Sequence, residues 1–96
     1  MRLKVEQKHI DAARKAYENP HDYFVCCPIA QAAAEEVHGD WNVQPDKASF
    51  GVAITPDGQS MFRLSRRANH EACRFDDTRE FKPGAYVLTP ITETGA

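Results

Sequence analysis

Two thiols stand side by side at Cys26 and Cys27, directly before a proline that can open a helix. The N–H groups and dipole at a helix start can lower a thiol pKa and make a nucleophile. Such a nucleophile needs a base, and His21, His38 and His70 are the candidates. Their spacing matches no known cysteine–histidine signature. The simpler account, one cysteine as a small buried hydrophobe or N-cap and the other incidental, is favoured. His70 and Cys73 lie three apart, a separation that can chelate one metal. A structural zinc needs four ligands, and no paired CxxC or HxxxH supplies the remainder. Arg67, His70 and Arg74 recur on one helical face and could contact an anion or phosphate, but Glu71, Asp76, Asp77 and Glu80 stand close enough to neutralise them. There is no glycine-rich phosphate loop, no carboxylate pair at a useful spacing and no serine triad signature. The reading is therefore a chain without catalytic residues, metal ligands or cofactor, with a thiol- or metal-dependent activity of Cys26 or Cys27 and a histidine as the alternative.

Binding is the better-supported class. The net charge of −2 argues against direct nucleic-acid binding, which favours basic chains. The charge is unevenly spread: residues 21–60 hold one lysine against six acids, whereas residues 1–20 hold five Lys/Arg against three acids. The acidic middle, with Asp22, Glu35, Glu36, Asp40, Asp46 and Asp57, is a candidate partner surface. Trp41 is a candidate anchor, since tryptophan is enriched at binding hot spots. Arg66, Arg67 and Arg74 complete the candidate partner-binding set. Against each stands the bland account of a solvated charged face and a core tryptophan.

These residues need elements to position them. The best-punctuated helix starts at Pro28, where a missing N–H costs nothing. Ile29, Ala33 and Val37 line its apolar face, and Gly39 is expected as a left-handed cap. Before it, Met1, Leu3 and Val5 alternate with Arg2, Lys4 and Glu6, a half-buried strand. From Gln7 the spacing of Ile10, Ala13 and either Ala16 or Tyr17 turns helical, and Asn19-Pro20 ends that helix. Tyr23 and Phe24 are expected to pin the connector to the core. After Gly39, Trp41 to Gln44 is a short strand. Ala48 to Thr55 is the strongest strand, with Phe50, Val52 and Ile54 as its inward face. Thr55-Pro56-Asp57-Gly58-Gln59 forms a turn, and Ser60 to Leu64 returns with Phe62 and Leu64 inward. Ser65 caps a helix from Arg66 to about Phe75, buried along Leu64, Ala68, Ala72 and Phe75 and ended by Asp76-Asp77. Ala85 to Leu88 is the last strand, and residues 91–96 are expected to fray.

The order β-α-α-β-β-β-α-β in 96 residues predicts one α+β domain, with about three helices on one face of a mainly antiparallel sheet. Three cysteines, two of them adjacent, do not form a disulfide framework, and Met1 is followed by no apolar run. Both observations predict a cytosolic chain without a secretory signal. No stretch is long enough to span a membrane.

Three stretches resemble a pattern of small phage and prophage proteins: the opening strand running into Gln7-Lys8-His9-Ile10-Asp11-Ala12; Cys27-Pro28-Ile29-Ala30-Gln31-Ala32; and Phe75-Asp76-Asp77 followed by Lys82-Pro83-Gly84-Ala85-Tyr86-Val87-Leu88. The Pro56-Asp57-Gly58 hairpin is an elaboration on that pattern. The resemblance brings no catalytic residues. It implies a small protein of the host cytosol that binds a host protein or protein complex, including as an anti-CRISPR or other anti-defence inhibitor. A homodimer is compatible with it.

Overall fold

The computed structural model describes residues 1–18 and 27–91. The elements are β1 (Arg2–Val5), α1 (Gln7–Tyr17), α2 (Pro28–Glu36), β2 (Asn42–Gln44), β3 (Val52–Ile54), β4 (Met61–Leu64), α3 (Arg66–Thr78) and β5 (Gly84–Pro90). The five strands form one antiparallel sheet in the order β1-β5-β4-β3-β2. Strands β2, β3 and β4 are a meander, α3 carries the chain to β5, and the N-terminal strand closes the far edge. The Met1 ammonium donates to the Leu88 carbonyl at 2.8 Å, which ties down the chain end. This is the expected α+β class, with the expected element order. No helix among the described residues is long and apolar enough to cross a membrane.

The alternation in β1 holds: Leu3 and Val5 are buried, Arg2 and Lys4 exposed. Together with Leu64, Tyr86 and Leu88 they form the floor on which the helices lie. Helix α2 fits closely because its inward residues are Ile29 and the small Ala30, Ala32 and Ala33, all buried. Pro28 opens it as expected. Its end differs. Val37 is already extended and 44% exposed, so it is neither helical nor on the buried face. The chain turns there to bring Trp41 inward, and the Trp41 indole N–H donates to the Val37 carbonyl at 2.8 Å. Gly39, at φ +133°, is needed for another reason: a Cβ on it would stand 2.7 Å from the Pro56 ring of the β3–β4 turn.

The β3 region departs most from expectation. The strand covers only Val52–Ile54, and its buried face is Gly51 and Ala53; Phe50 is 49% exposed, and Val52 and Ile54 are half-buried on the other side. Gly51 decides this, since a Cβ there would lie 2.4 Å from Asn69 Oδ1 and 2.8 Å from both Leu64 Cδ1 and the Pro45 backbone. Phe62 is half-buried and Leu64 fully buried, as expected. Helix α3 is capped by Ser65, whose hydroxyl accepts from the Ala68 N–H at 3.1 Å. It passes through Asp76-Asp77 and stops at Thr78, with Arg79 left-handed at φ 64°. The Asn19-Pro20 stop, the Tyr23 and Phe24 anchors and the tail beyond Ile91 lie outside the described residues.

Asn69 joins α3 to the loop of residues 45–50. Its amide accepts from the Asp46 N–H at 2.9 Å and donates to the Asp46 carbonyl at 2.7 Å. Asp46 then folds over its own turn, its carboxylate accepting from the Ala48 N–H at 2.8 Å. Asn69→Ala removes both clamp bonds. It should cost about 1–2 kcal/mol and lower the melting temperature by roughly 5–10 °C, with faster amide exchange confined to residues 45–50. Unchanged melting and exchange would show that the loop holds itself.

Candidate functional site

Two surfaces are built by this fold. The first is the sheet face opposite the helices. The registers place Arg2 opposite Val87 and Lys4 opposite Ala85. They place Val52 opposite Arg63 and Ile54 opposite Met61, then Arg63 opposite Thr89. Asn42 and Gln44 complete the face at the β2 edge. Met61 is 41% and Val87 48% exposed, and Phe50 joins them beneath the Arg63 guanidinium, 5.2 Å from its ring centre. Among these outward strand positions there are three cations and no carboxylate, in a chain whose net charge is −2. The face is an apolar surface of Val52, Ile54, Met61 and Val87 with Arg63 at its middle and Arg2 and Lys4 along the β1 edge.

The second surface is a groove of about 620 Å³ between α3 and the Asn69-clamped loop, lined by Lys47, Ser49, Arg66, His70 and Cys73. A smaller cavity of about 340 Å³ adjoins it, sharing Ser49, Arg66 and Asn69 and adding Phe50, Arg63 and Leu64. Asp77 also faces the groove, but Lys47 holds it at 2.8 Å. Arg66 and His70 stand one turn apart, and neither pairs with a described residue.

The residues singled out from the sequence are scattered over the fold. Trp41 is fully buried, with its ring 5.9 Å from that of Phe62, and offers no surface to a partner. Glu35 joins α2 to α1, accepting from His9 Nε2 at 2.8 Å with Lys8 Nζ at 3.1 Å. The His9 hydrogen bond and then Lys8 hold its carboxyl below the usual carboxylate range. His9 is buried and accepts the Glu6 N–H on Nδ1, so Nε2 carries the proton given to Glu35. Asp57 is tied into its turn by the Thr55 hydroxyl and the Gln59 N–H. Arg74 is engaged by Glu71 at 3.3 Å and Glu80 at 2.8 Å. The Arg67 guanidinium lies 4.8 Å over the Tyr86 ring. Glu36 and Asp40 are exposed, and Asp22 lies outside the described residues. The expected face of Arg67, His70 and Arg74 is thus divided: Arg67 lies over Tyr86, Arg74 lines the groove but is paired with Glu71 and Glu80, and Arg66 stands in the groove with His70. Helical spacing admits both phases, 66-70-73 and 67-70-74, and only the partners of each arginine distinguish them.

Cysteine chemistry finds little support around Cys73. Burial, and then the nearby Asp76 carboxylate, push its thiol up, so it stays protonated at neutral pH. Cys73 should therefore alkylate more slowly than a free cysteine at pH 7.5, read by mass spectrometry of its peptide. A rate equal to or above that of free cysteine would show an activated thiol. Cys27 is the N-cap of α2 and half-buried; Cys26 and His21 lie outside the described residues. Among the described residues no three His, Cys, Asp or Glu side chains converge as a metal site would require. Compared with known protein families, with curated proteins and with solved structures, the chain matches none.

Proposed function

We propose that this is a small phage-type protein that inhibits or modulates a host protein complex by non-catalytic binding, as an anti-CRISPR or other anti-defence inhibitor. The sheet face that no described helix covers carries the binding part of this reading, and the sequence resemblance carries its phage context. Apolar side chains exposed together, with one cation among them, two more along one edge and no carboxylate at the outward strand positions, are the pattern of a docking surface for an acidic, partly apolar partner. Nucleic acid fits this face less well. Its apolar residues Val52, Ile54, Met61 and Val87 are aliphatic, whereas single strands are held by aromatic stacking. The docking surface so proposed is the basic sheet face, in place of the acidic middle of the chain.

The test is a pull-down from bacterial lysate at low and physiological salt, with the wild type and the Met61→Asp/Val87→Asp variant as parallel baits. A host complex retained by the first and released by the second supports the reading. No host protein retained by the wild type, or the same proteins retained by both, rejects it.

A further inference from the structure

Neither the groove on α3 nor the adjoining cavity is lined by Met61 or Val87; the cavity meets the sheet face at Phe50 and Arg63, and the groove's polar groups are unevenly committed. Of the carboxylates near it, Asp77 is held by Lys47 and Asp46 accepts the Ala48 N–H, while Asp76 lies beside Cys73 with its carboxyl pushed up by burial. The Arg66 guanidinium, the His70 imidazole and the hydroxyl of Ser49 are not engaged by any described residue. Arg66 and His70 are at i and i+4, which puts their Cβ atoms within about 6 Å of each other. Ser49 stands across the groove on the loop that Asn69 fixes to α3. A guanidinium, an imidazole and a hydroxyl lining one groove from two elements match the several acceptor oxygens of a phosphoryl group better than a planar carboxylate. The groove has the volume of a small-molecule site, which exceeds what a bare phosphate fills. The adjoining cavity offers the apolar surfaces of Phe50 and Leu64 beside Arg66.

We propose that this groove binds a phosphate monoester, with the phosphoryl group held by Arg66, His70 and the Ser49 hydroxyl and the organic body lying toward Phe50 and Leu64. The site is built by a helix and a clamped loop, so it is formed before ligand arrives. Lys47 is held at the rim by Asp77 and contributes field more than contact.

The proposal is tested by amide chemical-shift titration of the full chain with sodium phosphate and, separately, AMP, against sodium chloride at matched ionic strength. The expected result is saturable shifts at Ser49 and at residues 66–70, with a dissociation constant on the order of 1 mM for phosphate and about tenfold tighter for AMP. Arg66→Gln and His70→Gln should each weaken both ligands about tenfold, the scale of one charge-assisted hydrogen bond. Both side chains are exposed, so neither variant threatens folding. The Met61→Asp/Val87→Asp variant should bind both ligands as the wild type does, which separates this site from the sheet face. Shifts no different from those with chloride, or undiminished affinity in Arg66→Gln, would overturn the site. AMP binding no tighter than phosphate would reject the monoester.

Discussion

Trp41→Ala should cost the domain about 3–5 kcal/mol, the range for deleting a fully buried large aromatic. Domains of this size hold about 5–15 kcal/mol in total, so the variant should lose a large share of its stability and unfold outright only if the wild type lies at the low end of that range. The cost has two parts. The indole is entirely enclosed and packs against Phe62, and its removal leaves a cavity between the meander and the helical layer. Its N–H also satisfies the Val37 carbonyl where α2 gives way to extended chain. Trp41→Phe separates the two. It keeps most of the apolar volume but leaves that carbonyl without its donor, and should cost about 1–3 kcal/mol. Urea unfolding followed by circular dichroism measures both, since Trp41 is the single tryptophan and fluorescence is lost with it. A loss below about 1 kcal/mol in Trp41→Ala would mean that the indole is not the keystone of this corner.

Met61→Asp combined with Val87→Asp should do the opposite: leave the fold intact and remove binding. Both side chains are more than 40% exposed and lie where no described helix packs. The stability change should stay within about 1 kcal/mol for the pair. If the sheet face docks an acidic partner, two carboxylates on its apolar surface replace burial by desolvated like charge. The expected loss is about 3–5 kcal/mol of binding, more than a hundredfold in affinity. Arg63→Glu alone should weaken association and reduce its salt dependence, because it reverses the central cation of the face. Affinity and melting temperature measured on the same preparations read the outcome. Undiminished affinity with an intact fold would place the docking surface elsewhere.

Local signals in the sequence determined much of this protein. The alternation of Met1 to Glu6, the proline at the start of α2, the Ser65 cap, the Pro56-Asp57-Gly58 turn and the 3.6-residue spacing in α1 and α3 each act within a few residues of chain. Together they dictated the element order and the α+β class. Tertiary packing decided the rest. An alternating strand has two faces with the same period, and side-chain size favours the one bearing Phe50, Val52 and Ile54. The opposite face is buried because Gly51 must pass beneath Asn69 and Leu64, which only their approach in three dimensions imposes. The α2 end was set by Trp41 reaching back to Val37, overriding a glycine that resembled a cap. The order β1-β5-β4-β3-β2 rests on pairings up to a chain length apart, which no local spacing encodes. The same holds for the candidate surfaces. Sequence supplied the arginines and acids, but whether each is free or spent depends on what folds against it. Arg67 is taken by Tyr86 and Arg74 by Glu71 and Glu80, while Arg66 is left to the groove.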